Sequence, residues 1–140
     1  MYYHFCKKLQ KIVKEYYSGK IHQTKVEKEV KKLVMELIDF NIEICNILVK
    51  IQKETSKQTF KDTSLFIFKY CLSPLLKDNE NIFQKDIINK KITNLLKKYY
   101  DYFLLFAFYL DNISQHRFLK TDEKLEDYLM GFKALKRSLR

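Results

Sequence analysis

The sequence predicts an all-α protein that folds as a single compact five-helix bundle. Its 140 residues include only two glycines and one proline, so it lacks the turn residues that a hairpin-rich β fold requires. Hydrophobic residues make up 46% of the chain, which is enough to form a core despite a charged fraction of 31%. A chain of this length usually forms one domain, and we expect residues 1–140 to share one core.

A central, mostly buried helix is predicted near residues 95–113. From Tyr102 to Leu110 no charged or amide side chain interrupts an aromatic and aliphatic run. A helix with apolar groups on every side must be surrounded by other helices. The run is also well short of the roughly 20 residues that cross a bilayer, so no membrane span is predicted. The side chains expected to be shielded from water are Phe103, Leu104, Phe106 and Phe108.

Two amphipathic helices are predicted at the start of the chain. Residues 2–17 place apolar side chains at steps of three and four, which is the helical period. Ser18-Gly19 should end this helix, because glycine readily adopts the left-handed conformation of a C-terminal cap. The sequence Thr24-Lys-Val-Glu27 fits a capping box and predicts a long second helix that extends to about Glu54.

Three further helices complete the predicted bundle. The third should begin near Thr59, and Pro74 should kink or end it near Leu72. The fourth should run from about Ile82 to Ile113 and change halfway from an exposed basic helix to the buried central one. The Thr-Asp-Glu sequence at 121–123 is typical of an N-terminal cap and predicts the fifth helix.

The sequence gives no local support for catalysis or metal binding. Its three histidines fall on separate elements, and none lies in an HExxH, CxxC or serine-nucleophile signature. Glu36, Asp39 and Glu43 share one side of the second helix and could hold a hard cation. Carboxylate sites in helical bundles add Glu-x-x-His motifs, however, and this chain has none. We therefore predict a solvated carboxylate stripe, with no catalytic, metal-binding or cofactor-binding residue and no cofactor.

The cysteine pattern favours free thiols. Cys6, Cys45 and Cys71 are odd in number and fall at apolar positions of three different predicted helices. This pattern is more typical of buried thiols in a reducing, intracellular compartment than of a disulfide framework. The N-terminal sequence lacks a charged leader followed by an apolar core, so no secretory signal is predicted.

The net charge of +10 favours a polyanionic partner, because nucleic acids attract proteins first through charge. Part of this charge has a compositional explanation. The chain is rich in Lys, Ile, Asn, Phe and Tyr and poor in Arg and Ala, which is typical of an AT-rich coding sequence. Lysine also lacks the planar fork with which arginine reads bases, so we expect contacts with the phosphate backbone.

The best candidate surface is a lysine cluster on the fourth helix. Its four ammonium groups lie on about two turns, and a phosphate backbone would relieve their mutual repulsion. The alternative is an ordinary solubilising face. A second basic group lies at the end of the last helix, where the helix dipole itself favours cations. The predicted nucleic-acid-binding residues are Lys90, Lys91, Lys97, Lys98, Lys133, Arg137 and Arg140.

The tyrosines beside the lysine cluster allow two interpretations. Tyr99, Tyr100 and Tyr102 could stack on unpaired bases, as in proteins that bind single strands. Alternatively, they pack in the core or at its edge, which is the interpretation that we favour.

The segment Lys97-Lys-Tyr-Tyr-Asp-Tyr-Phe-Leu-Leu-Phe-Ala-Phe-Tyr-Leu110 resembles the aromatic final helix of the small helical subunit of type III CRISPR effector complexes. The resemblance covers about a tenth of the chain and transfers no functional residue. This chain also continues with another helix where that family usually ends. A buried central helix surrounded by amphipathic ones also resembles the Bcl-2-like fold of some viral host-modulating proteins, which is a likeness of architecture alone.

Two functions are therefore predicted. The first is non-enzymatic: a small basic subunit or accessory factor that contacts RNA, DNA or a ribonucleoprotein through a lysine-rich helix face. The alternative is a helical interaction adaptor or host-modulating protein that binds a partner helix in an apolar groove. The same apolar surface would also permit self-association.

Overall fold

The computed structural model of the chain describes residues 2–78, 88–114 and 124–140. In these ranges the chain forms helices and short turns, and no residue lies in a strand. A π-helical turn at Phe68–Leu72 joins the third and fourth α-helices without interruption, so the described ranges contain five helical rods. This confirms the predicted all-α bundle. The α-helices are α1 (Tyr2–Tyr17), α2 (Gln23–Glu54), α3 (Lys57–Ile67), α4 (Ser73–Asp78), α5 (Lys90–Ser114) and α6 (Leu125–Leu139).

The longest helix, α2, is the element around which the bundle assembles. It has 32 residues and is therefore about 48 Å long at a rise of 1.5 Å per residue. Helices α1, α3, α5 and α6 all pack against it. Its buried stripe is apolar with one exception, the amide side chain of Asn41. The hydrophobic effect therefore holds four helices onto one long scaffold.

The central helix α5 is mostly buried, as predicted, but it is not surrounded. It packs against α2, α3, the π-helical turn and α6. Phe103 and Phe106 have no exposed surface. Leu105 and Phe108, however, remain 56% and 55% exposed, and Leu104 is half-buried. These neighbours leave one side of α5 uncovered, so the expected burial is wrong for Phe108 and only partly correct for Leu104.

The predicted end of α1 is confirmed. Gly19 has a φ of +77°, in the left-handed region that glycine adopts without steric cost. The amide of Lys20 donates to the carbonyl of Glu15 at 2.9 Å, and the amide of Gly19 donates to the carbonyl of Tyr16 at 3.0 Å. These two bonds form the Schellman motif that terminates many helices.

Two of the predicted helix starts are displaced. His22 caps α2, because its Nδ1 accepts the amide hydrogen of Thr24 at 3.2 Å. The predicted capping box at Thr24 is therefore wrong, and the carboxylate of Glu27 instead accepts hydrogen bonds from Asn89 and Lys91. Ser56 caps α3 by accepting the amide hydrogen of Thr59 at 3.1 Å, so this helix begins at Lys57 rather than near Thr59.

Pro74 does not end the third rod, which continues to Asp78. In the π-helical turn before it, the amide of Ser73 donates to the carbonyl of Phe68, five residues back. A local π-helical adjustment is one of the ways in which a helix accommodates an interruption of its hydrogen-bond ladder. Of the two predicted outcomes, a kink or an end near Leu72, the end is wrong, and the regular α-helix is instead interrupted by the π-helical turn that finishes at Leu72.

The start of α5 also differs from the prediction. Ile88 has a φ of +61°, a left-handed conformation that interrupts a helix and is unusual for a β-branched residue. Asn89 then caps α5, since its Oδ1 accepts the amide hydrogen of Ile92 at 2.9 Å. A continuous helix from Ile82 is therefore wrong at Ile88 and Asn89. Residues 79–87 and the predicted cap at 121–123 lie outside the described residues.

A close contact between Tyr102 and Gly131 joins α5 to α6. The Tyr102 ring meets Phe132 edge to face, with ring centroids 4.8 Å apart. Its hydroxyl donates to the carbonyl of Asp127 at 3.4 Å. A Cβ atom at Gly131 would overlap the Tyr102 hydroxyl, so the missing side chain is what allows the ring to lie across α6.

We expect Gly131→Ala to lower the free energy of unfolding by about 1–3 kcal/mol, because the added methyl group displaces the Tyr102 ring. In a Tyr102→Ala background the same substitution should instead stabilise α6 by about 1 kcal/mol, the gain in helix propensity. Urea denaturation of the four proteins in this mutant cycle measures both effects. The same sign in both backgrounds would contradict the contact.

Candidate nucleic-acid interface

All seven predicted cationic residues have exposed side chains, four on α5 and three on α6. Lys98 is the residue that links the two groups. Its Nζ donates to Oγ of Ser138, 40 positions away in sequence, at 3.5 Å. Ser138 lies between Arg137 and Arg140 in the last turn of α6, so the fold places that turn beside the middle of α5. We use the name basic edge for the five exposed cations that these parts of α5 and α6 carry, namely Lys97, Lys98, Lys133, Arg137 and Arg140.

Lys91 has a different environment from the basic edge. Its Nζ lies 3.5 Å from Oε2 of Glu27 on α2, and its side chain is 80% exposed. Oε1 of Glu27 accepts a hydrogen bond from Nδ2 of Asn89 at 3.2 Å. Glu27 therefore fastens the beginning of α5 to α2, although such an exposed ion pair contributes little stability by itself. In the described part of the chain, only Lys91 of the seven forms an ion pair.

A groove of about 270 Å³ separates the first half of α2 from the beginning of α5. Lys28 and Lys31 approach it from α2, and Lys91 approaches it from α5. Ile92 and Leu95 supply apolar surface to its lining. Sequence reasoning did not single out Lys28 or Lys31, because their distance from Lys91 depends on how two remote helices pack. Their spacing of three residues on one helix face was the only available signal.

A second groove, of about 310 Å³, lies between α5 and α6. Of the described residues that line it, only Lys98 is charged, and the others have apolar, small or hydroxylated side chains. Leu95 lines the first groove, and Lys98, three residues further along α5, lines the second. The two grooves therefore follow one another along one edge of α5. The lining residues of the second groove are Lys98, Tyr102, Gly131, Ala134, Leu135 and Ser138.

A third groove, of about 360 Å³ between α1 and α2, has a nearly balanced charge. Its lining includes four lysines but also three glutamates. Cations paired with nearby carboxylates attract a polyanion less than unpaired ones do. This groove is larger than the other two but less suited to phosphate. Its charged residues are Lys8, Lys11, Lys25, Lys32, Glu15, Glu29 and Glu36.

The tyrosines near the lysine cluster belong mainly to the core. Tyr99 and Tyr100 are 0% and 4% exposed, so neither presents a ring face to a ligand. The hydroxyl of Tyr99 accepts a hydrogen bond from Nδ2 of Asn41 at 2.8 Å. Tyr102 is half-buried against α6. Base stacking by Tyr99 or Tyr100 would require them to leave the core.

The carboxylate stripe on α2 is divided between separate environments. Asp39 accepts a hydrogen bond from Nζ of Lys136 at 2.6 Å, Glu36 lines the groove beside α1, and Glu43 is exposed. Across residues 2–78, 88–114 and 124–140, no three His, Cys, Asp or Glu side chains are grouped closely enough to hold a metal ion. In the same ranges, no helix has the length and apolar character needed to cross a bilayer.

The three cysteines are free thiols. Cys6 and Cys45 are buried and Cys71 is half-buried. Burial raises the pKa of the Cys45 thiol from its ordinary value of 9.0 to about 12. Burial also raises the pKa of the Cys71 thiol. Since the thiolate is the nucleophile, these shifts lower the reactivity of both thiols near neutral pH.

We expect Cys45 to resist alkylation by iodoacetamide in the folded protein and Cys71 to react more slowly than free cysteine. Because the pKa of Cys45 is higher in the folded than in the unfolded state, its contribution to stability is complete below pH 9 and is lost as the pH rises towards 12. Peptide mapping by mass spectrometry, with and without denaturant, measures the reactivity of each thiol. Rapid modification of Cys45 without denaturant would contradict the burial described above.

Comparison with protein-family models, with curated proteins and with solved structures finds no match. The fold assigns the chain to a class, the all-α helical bundles. Within that class, the arguments for function are the placement of the charged residues and the exposed apolar residues.

Proposed function

We propose that this protein binds the phosphate backbone of RNA or DNA as a non-enzymatic subunit or accessory factor. The binding surface consists of the basic edge together with Lys90 and Lys91. The observation that carries the proposal is the contact between Lys98 and Ser138, because it joins two basic segments that are remote in sequence. The five cations of the basic edge have no ion pair with any described carboxylate, which leaves their charge available to an anion.

The chemistry of these side chains favours backbone contacts over base reading. A lysine ammonium is a compact point charge that interacts with a phosphate oxygen from many directions. Each such contact releases condensed counterions, and affinity therefore falls as salt rises. Contacts of this kind position a nucleic acid without reading its sequence. We therefore expect weak sequence preference and a steep dependence on salt.

Lys97→Glu combined with Lys98→Glu should weaken binding of labelled RNA and DNA oligonucleotides and lower the slope of log K against log salt by about 2. The physical reason is the loss of two phosphate contacts and the introduction of two repelling carboxylates. Fluorescence anisotropy at several salt concentrations measures both quantities. Lys50→Glu combined with Lys53→Glu is the matched control, because both lysines are exposed at the far end of α2 and the change in charge is the same.

Two results would contradict the proposal. One is the absence of oligonucleotide binding by the wild-type protein at low salt. The other is an equal loss of affinity in the α5 and α2 variants, which would indicate a response to net charge rather than to the basic edge.

A second candidate function, binding of a protein partner, is favoured by one specific observation. Leu105 and Phe108 are more than half exposed and lie one turn apart on the uncovered face of α5. Exposed large apolar side chains that lie together often mark an interaction surface. In the predicted form of this function a partner helix occupies an apolar groove. The described apolar residues instead form a helix face, onto which a partner helix would pack.

Leu105→Ser combined with Phe108→Ser should abolish capture of a protein partner, or self-association, while leaving oligonucleotide binding unchanged. The expected loss follows from the removal of the apolar surface that the partner would cover. Pull-down from extracts of the native cell and light scattering provide the measurements. Leu65→Ser combined with Phe66→Ser, on the exposed face of α3, is the matched control. Capture that survives in the α5 variant would contradict this function.

A further inference from the structure

We infer that the groove between α2 and α5 is a second phosphate-binding site, and that one nucleic-acid strand follows the edge of α5 across both grooves. The inference rests on the proposed function and extends it to Lys28 and Lys31 of α2. These two residues would contact the backbone beyond the basic edge. The strand would then be held by α2, α5 and α6 together.

The lining of the first groove supports phosphate binding. Among the described residues that line it, three are lysines and one, Glu27, is a carboxylate, so these residues carry a net charge of about +2. Lys28 and Lys31 lie one turn apart, and Lys91 faces the groove from the other helix. Ile92 is buried and Leu95 half-buried, so part of the lining is apolar protein rather than water. A cleft with low-dielectric walls and charges of one sign concentrates the electric field on an anion that enters it.

Glu27 has two opposing effects in this groove. Its hydrogen bonds to Asn89 and Lys91 hold the beginning of α5 against α2. Its charge also offsets one of the three lysines. Because the side chain of Glu27 is only 26% exposed, it is poorly placed to turn away from an incoming phosphate. Removal of this charge should therefore strengthen binding of an anion.

The order of the two grooves along α5 favours a polymer over a small anion. Lys91 lines the first groove and Lys98 the second, seven residues or about 10 Å further along the helix. A single phosphate group can contact only one of them, whereas a strand with many phosphates can contact both. A flat lipid surface would touch the rims of the grooves without entering them.

The test measures how Lys28→Glu combined with Lys31→Glu affects oligonucleotide binding. We expect weaker binding and a salt slope lowered by about 2, as for the basic edge. The Lys50→Glu and Lys53→Glu control should leave the slope unchanged. Glu27→Gln should tighten binding several-fold, which is a gain that a folding defect cannot produce. Thermal unfolding of each variant, followed by circular dichroism, establishes that it is folded.

The outcomes separate this inference from the function on which it rests. If the Lys97 and Lys98 variant loses affinity but the Lys28 and Lys31 variant behaves like the control, the inference fails and the proposed function stands. If the wild-type protein binds no oligonucleotide, both fail. A third outcome is that the wild-type protein binds vesicles that contain phosphatidylserine but binds no oligonucleotide. If the Lys28 and Lys31 variant then loses the binding of vesicles, the inference is overturned in favour of a lipid surface.

Discussion

The hydrogen bond between Asn41 and Tyr99 is the constraint on which the arrangement of the bundle depends. It joins the middle of α2 to α5 at 2.8 Å, where both side chains are fully buried. Nδ2 of Asn41 also donates to the carbonyl of Leu37 at 2.9 Å, so both hydrogens of the amide are used. Apolar packing tolerates small slips between helices, but a slip here would leave buried polar groups unpaired at a cost of about 1–3 kcal/mol each. This bond therefore selects one register of α5 on α2.

That register determines what lies beside the beginning of α5. Lys91 precedes Tyr99 by eight residues, or about 12 Å along the helix, and its Nζ lies 3.5 Å from Oε2 of Glu27 on α2. Further along α5, Phe106 packs on Phe132 and Tyr128, with ring centroids 5.5 and 5.7 Å apart. These aromatic contacts align α6 so that its last turn meets Lys98. The positions of the surface cations thus follow from polar and aromatic contacts inside the core.

Sequence periodicity was sufficient to predict the helices but not to predict which of their side chains other helices cover. The apolar repeat predicted each rod, and Gly19 predicted the end of α1, because both signals are local. Phe108 shows the limit: its sequence neighbours are as apolar as those of Phe106, yet its exposure depends on how many helices pack around α5. Glu27 shows another limit, because a glutamate at this position can either complete a helix cap or bond to another helix. In the structure it bonds to Asn89 and Lys91, and His22 caps α2 instead. Lys28, Lys31 and Lys91 line one groove because α2 packs against α5, and no local sequence pattern encodes that packing.

The two proposed contacts occupy different parts of α5, and this separation makes them compatible. Lys97 and Phe108 lie on the uncovered side of α5, eleven residues or about 16 Å apart along its axis. At physiological salt the Debye length is about 8 Å, so a charge change at one end is largely screened at the other. Changes at sites this far apart are usually additive in energy. A subunit that held a nucleic-acid strand at its basic end and a neighbouring protein at its apolar end would need this arrangement on a single rigid helix.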